Sequence, residues 1–240
     1  MAMPQHPPFK PAPEITHDPR DWVVDPEQVL AEENWALHMV FTQVGEFTAE
    51  DAAALDAAVR ATGVEIRGWY DVAGFRADAD LMCWVLGKSA EECQAAYRAV
   101  ASQGAFEPVW SAMSRHMAAE FNRIHLAACF GGFAARKYLA VYPFVRSWDW
   151  YYLPENRRSA ILREHGANGR EFNDVPVSTL AAFALGDWEW TVSLEGDSLD
   201  RVMAVLRRQR EAEARLFVRL DTPFYTGVRM ELAEWVALRS

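Results

Sequence analysis

Residues 35–72 read WALHMVFTQVGEFTAEDAAALDAAVRATGVEIRGWYDV. The first ten are β-branched and aromatic in the manner of a strand, which stops at Gly45. Thr48 and Asp51 then stand at capping-box spacing ahead of an alanine-rich stretch that runs as a helix to about Thr62, closed by Gly63. VEIRGWYDV (64–72) and DLMCWVLG (80–87) predict two further strands around the loop AGFRADA. Ser89 and Glu92 repeat the capping spacing before the helix of SAEECQAAYRAVASQG, and FEPVWSAMSR (106–115) predicts a fourth strand. The order is βαββαβ, one ferredoxin-like half.

Beyond an irregular or short-helical linker the order recurs. KYLAVYPF (137–144) predicts a strand, and residues 154–165 a helix with Pro154 in its first turn and Gly166 just past its end. STLAAFAL (178–185) and EWTVSL (189–194) predict strands, Ser198 to Arg215 a long helix, and FYTGVRM (224–230) a last strand. The expected fold class is α+β, a tandem ferredoxin-like repeat in one chain. Each four-stranded sheet has helices on one face, so the bare faces of the two must cover each other in a dimeric α+β barrel. The expected organisation is a proline-rich arm over 1–28, an N-terminal half over 29–116, a linker over 117–136 and a C-terminal half over 137–240.

Composition bounds the function. The chain has 240 residues, 51% of them apolar, with 24 Lys and Arg against 34 Asp and Glu. A net charge of −10 argues against general affinity for nucleic acid or anionic membranes, so an anionic ligand needs individually placed cations. Cys83, Cys93 and Cys129 form no CxxC pair and suggest neither a disulfide framework nor a zinc site. With no signal peptide and no run of about 20 apolar residues, a reducing cytoplasm is the expected compartment. Seven prolines within the first 26 residues oppose helix and predict an extended arm.

Six histidines are candidates for chemistry. His6 and His17 lie in the arm. His38 sits inside a strand, where a hydrogen-bonded core histidine is the ordinary explanation. His116 and His125 flank the linker segment MAAEFNRI. His165 ends the predicted helix, where a favourable interaction with the helix dipole is the usual role. Tyr142 lies near the end of a strand, with Arg146 four residues on; by itself the aromatic string around it reads as bulky core. Arg163 and Arg170 read as a solvated helix face.

Five strings resemble the chlorite dismutase superfamily: RGWYDVAGFRADADLMCW, AEFNRIH, VYPFVRSWDWYYLPENRRSAILREHG, STLAAFALGDWEW and EARLFVRLDTPFYTGVR. Within it they are most similar to the actinobacterial coproheme decarboxylases, over roughly residues 33 to 232. The resemblance implies the tandem ferredoxin-like barrel and a homopentamer. Tyr142 matches the radical-forming tyrosine of the VYPFVRS motif. His165 matches the proximal iron ligand of the (D/E)HG motif, and His125 of FNRIH the distal histidine. Arg146 matches a propionate-binding position, and Trp190 a tryptophan near the porphyrin edge. His116 also matches a family position, with no role carried over.

The implied reaction converts iron coproporphyrin III, both substrate and redox cofactor, to heme b. Hydrogen peroxide is the oxidant, two propionates become vinyls with loss of CO2, and the coproporphyrin ferrochelatase is an implied transient partner. The residue types suit it: neutral imidazole is a standard axial donor to heme iron, a distal imidazole can shuttle the peroxide proton, and Arg can pin a carboxylate. Two departures stand out. The chain reads HMAAEFN (116–122) where relatives commonly have HRPAEFN, and its linker after His125 is richer in glycine. The alternatives are a non-catalytic porphyrin carrier or sensor, a divergent heme peroxidase, or chlorite degradation, which uses a distal arginine. No arginine occurs between Val175 and Leu185, where that residue would be expected.

Overall fold

The computed structural model describes residues 18–118 and 125–239. His6 and His17, with the rest of the arm through residue 17, lie outside the described residues. So does the segment 119–124. In chain order the elements are α1 (Pro26–Ala31), β1 (Trp35–Gln43), α2 (Ala49–Arg60), β2 (Glu65–Asp71), β3 (Leu81–Gly87), α3 (Ala90–Ala101) and β4 (Phe106–Arg115). After the linker come β5 (Tyr138–Arg146), α4 (Trp148–Tyr152), α5 (Glu155–Gly169), β6 (Val177–Ala181), β7 (Trp190–Gly196), α6 (Leu199–Arg210), β8 (Val218–Leu220), β9 (Tyr225–Met230) and α7 (Leu232–Ala237).

The strands follow the order β7-β6-β4-β1-β3-β2-β9-β5-β8, and β5 also pairs with β7. That second pairing closes eight antiparallel strands into a barrel, with β8 appended to β5. Within it, β4-β1-β3-β2 and β9-β5-β7-β6 are the same ferredoxin-like order written twice. The halves join edge to edge, β2 against β9 through three residue pairs and β4 against β6 at Arg115 and Ala181. Closure removes the free edges that two separate sheets would expose.

Alternation along each strand assigns one face to the barrel interior and the other to the helices. Ala36, Val40, Met82, Trp84, Leu139 and Val141 fill the interior, while Leu37, Met39, Phe41 and Cys83 pack under α2, α3 and α7. The interior also holds polar groups. His38, fully buried, is stacked on Trp84 with ring centroids 4.6 Å apart, and its Nε2 lies 2.9 Å from Ser193 Oγ. Arg67 of β2 donates to Glu195 of β7 at 3.0 and 2.6 Å, both side chains being almost wholly buried. This pair and the His38–Ser193 contact each cross from one half to the other.

Local signals act where expected, with physical exceptions. Thr48 and Asp51 form a complete capping box on α2, a contact worth about 1 kcal/mol. At α3, Ser89 accepts the Glu92 amide, but the Glu92 carboxylate reaches past Ser89 to the Lys88 amide, so the box there is only half formed. The strand expected over 178–185 stops at Ala181: Leu185 N–H donates to Ala182 O and Ala184 takes a φ of 63°, which turns the apolar run outward. The long helix ends at Arg210, where extended backbone at Ala212 breaks it before a 3-10 turn at Glu213–Phe217. Gly166 does not end α5, which continues to Gly169. The short helices α1, α4 and α7 and strand β8 were not legible in the pattern.

Candidate functional site

β5 carries Ala140, Tyr142 and Phe144 on its helix-facing side, and β7 carries Trp190, Val192 and Leu194 on the same side. Register places Tyr142 opposite Val192 and Phe144 opposite Trp190. Phe172, Val175, Val202 and Val205 complete this cluster from α6 and the turn after α5. The candidate site therefore lies on the outer face of the C-terminal half, between sheet and helices, and not inside the barrel.

Tyr142 stacks on Phe224, with centroids 4.4 Å apart and planes 20° from parallel. Burial pushes its phenol up to about 12, against the opposing pull of the Arg210, Arg215 and Arg146 charges. Asp221 accepts from both Arg210 and Arg215, the latter at 2.8 Å, and so fixes two of those cations beside the ring.

His165 projects from the last third of α5. Since the helix continues past it, it is not a C-terminal dipole partner as the sequence suggested. Burial first, and the Arg146 charge second, pull its imidazole down to about 4, so it is neutral near pH 7. Its Nδ1 is buried and has no hydrogen-bond partner. Trp190 has Phe144 stacked 6.1 Å away and Phe183 edge-on at 5.2 Å, and its buried indole Nε1 makes no well-formed hydrogen bond beyond a weak interaction with the Tyr151 hydroxyl. Buried polar atoms left without partners are costly. A ligand seated here would satisfy them.

Arg146 ends β5. Its guanidinium lies over Trp150 at 4.2 Å and beside Phe144 at 5.0 Å, and Nη1 donates to Ala214 O at 3.3 Å. The backbone N–H of Arg146 donates to Glu189 at 2.8 Å, and the Tyr151 hydroxyl donates to the same carboxylate oxygen at 2.6 Å. The structure thus brings Tyr142, His165, Arg146 and Trp190 to one region, with the Arg146 charge acting on both the phenol and the imidazole.

His125 stands apart. It is exposed at the start of the linker's described C-terminal part. Burial first, and His125 second, pull the imidazole of His116 down; His116 is nine-tenths buried just past β4, with both ring nitrogens unpartnered. The groups acting most strongly on Tyr142 and His165 do not include His125. Arg163 and Arg170 are exposed, as a solvated face requires. Sequence reading missed Glu189, Asp221, Arg210 and Arg215. The acidic pair carried no motif, and the arginines were indistinguishable from an ordinary charged helix face.

Comparison with known proteins gives a consistent result. Residues 45–230 match the chlorite dismutase family. A coproheme decarboxylase from Mycolicibacterium smegmatis is 43% identical over 179 residues, 73% of this chain and 78% of the relative. Among solved structures, a chlorite dismutase variant from Candidatus Nitrospira defluvii superposes with a TM-score of 0.74 at 17% identity, covering 90% of this chain and 99% of that one. The imidazole complex of the same enzyme gives 0.72 at 17% identity, with the same coverage. Those two structures share the fold; the family match and the Mycolicibacterium relative carry the assignment. The chain belongs to the chlorite dismutase family.

Proposed function

We propose that the protein is a coproheme decarboxylase, converting iron coproporphyrin III to heme b by peroxide-dependent oxidation of two propionates to vinyl groups. The sequence relationship to a decarboxylase supports the reaction class. The observation that carries the reading is the shared neighbourhood of a buried, protonated phenol at Tyr142, a neutral imidazole at His165 and the Arg146 cation.

The residues present fit an iron porphyrin. His165 would hold the iron through its imidazole, since a neutral ring keeps a lone pair free. Among the described residues no three His, Cys, Asp or Glu side chains converge to hold a metal ion, so the other iron ligands would come from the macrocycle. Arg146 would pin one propionate by charge-assisted hydrogen bonds, and the Trp190 ring packs in the same cluster as Tyr142 and Phe144.

When bound, the iron porphyrin supplies two oxidising equivalents from each peroxide. With that oxidant bound, Tyr142 would give up an electron together with its phenolic proton, and its radical would take hydrogen from a propionate β-carbon. Loss of CO2 and a second electron leaves the vinyl group. Each decarboxylation is thus a two-electron oxidation matched by reduction of one peroxide to water. His125 stands apart from Tyr142 and His165, and a role for it in moving the peroxide proton rests on the family resemblance alone. Among the described residues no helix is long and apolar enough to cross a membrane. The same reading extends to a cytoplasmic homopentamer that receives substrate from the coproporphyrin ferrochelatase; light scattering tests the pentamer.

The deciding experiment is mass spectrometry of the porphyrin after titrating coproheme-loaded protein with hydrogen peroxide, wild type against Tyr142→Phe. Two sequential carboxyl losses in wild type, with bound but intact coproheme in the variant, are expected. Bleaching without CO2 loss in wild type overturns the reading in favour of a carrier or a peroxidase.

A further inference from the structure

The described end of the N-terminal arm is bonded to the linker that carries His125. The Asp21 carboxylate accepts from Arg136 Nη2 with both oxygens at 2.8 Å, and Oδ1 also accepts the Ala134 amide at 2.9 Å. One residue on, Trp22 N–H donates to Gly132 O at 2.8 Å. Gly132 has a φ of +82°, and a Cβ there would lie 1.9 Å from Trp22 O, so this approach demands glycine. Arg136 is nearly buried, and Asp18 adds a second carboxylate 3.5 Å from it.

The same stretch is tied to the barrel from the other side. Arg136 N–H donates to Glu195 at 3.3 Å, and Arg67, already paired with Glu195, donates to Phe133 O at 2.9 Å. From residue 133 back to Ala127 the chain is compact. Phe133 N–H returns to Ala128 O, the Cys129 amide donates to Ser178 Oγ at 2.9 Å, and Ala127, Ala128 and Cys129 are buried. His125 is two residues from this anchored unit. The arm is therefore one wall of the clamp that fixes residues 127–136, the chain that follows His125.

We infer that Asp21 is a positioning residue: with Trp22 it latches linker residues 132–136 to the barrel and thereby holds His125 in place for proton transfer. The arm acts through the linker and touches no reacting atom. A role for His125 itself rests on the decarboxylase reading, whereas the latch does not.

The test uses full-length protein with Asp21→Ala and Asp21→Asn. Hydrogen exchange of the amides in 126–136 is followed in the protein without porphyrin, and the peroxide-driven step and coproheme affinity in the loaded protein. Asp21→Ala is expected to speed exchange of this segment at least about tenfold, to slow the peroxide step roughly tenfold to a hundredfold, and to leave coproheme affinity unchanged. Asp21→Asn keeps an acceptor for the Ala134 amide and is expected to fall between. Unchanged exchange in a folded Asp21→Ala protein overturns the latch. Faster exchange with an undiminished peroxide step overturns the link to His125. Should wild type not decarboxylate, the functional reading falls and the exchange comparison alone still decides the latch.

Discussion

The Arg146 guanidinium lies 4.2 Å from the centroid of the Trp150 ring. The stack, with the Nη1 bond to Ala214 O, orients a cation that would otherwise swing on a long side chain. A pre-oriented planar fork loses less entropy when it meets a carboxylate than a flexible ammonium does.

Arg146→Lys should therefore weaken coproheme binding about tenfold although the charge is kept, because the stacked fork is lost. Arg146→Ala should weaken it further. Fluorescence-quenching titration with coproheme checks both; a lysine variant binding as wild type would mean that charge alone suffices.

His165→Gly should remove the imidazole nitrogen that would hold the iron and leave a hole on the face of α5. The loaded variant is expected to lose the histidine-ligated signature in resonance Raman and electron paramagnetic resonance spectra, and added imidazole should restore it. A spectrum identical to wild type would place the iron ligand elsewhere.

Arg67 and Glu195 are nearly inaccessible, so removing one partner strands the other. Arg67→Met should cost about 3–5 kcal/mol of stability, measured by urea unfolding at pH 7.5. Burial already pushes the Glu195 carboxyl up. Acidification that protonates it should therefore shrink the deficit, so the gap between wild type and variant should narrow at pH 5.5.

His38 is held neutral by burial, with the Arg67 charge adding to the effect, and its imidazole falls to about 3. An ordinary unfolded-state histidine titrates near 6.5. Below pH 6.5 the unfolded chain binds a proton that the folded protein refuses, so stability is full above 6.5 and declines as pH falls toward 3. The slope from this residue is ~1.4 kcal/mol per pH unit within that window. His38→Phe should flatten the acid limb of a melting-temperature profile between pH 6.5 and 4; an unchanged slope would show that His38 accepts a proton in the folded state.

The strands were legible because β-branched and aromatic residues cluster between turn residues, as in WALHMVFTQV before Gly45, even though burial on both faces leaves no simple alternation. β4 begins and ends where FEPVWSAMSR does, and the core strands shifted by one or two residues. The reading failed where local preference and tertiary contact disagree. AAFAL is apolar enough for strand but turns at Ala182, leaving Phe183 and Leu185 exposed. Gly166 is a natural stop, yet α5 passes through it to Gly169, so half-buried His165 stands inside the helix and not at its end. His38 was readable as a bonded core histidine, although its partner, Ser193, lies 155 residues away in sequence.

The sequence by itself determined two βαββαβ halves, the helix starts at Thr48 and Ser89, and motif positions for Tyr142, Arg146 and His165, because these depend on residue type and near-neighbour spacing. The barrel was expected from the repeat, but tertiary structure alone decided which edges close it, β2 against β9 and β4 against β6, and that Tyr142 faces the helices. It also decided that Asp221 steadies Arg210 and Arg215, and that Asp21 grips Arg136 across 115 residues. The physical reason is that burial, and pairing between groups remote in the chain, exist only once the strands are in register.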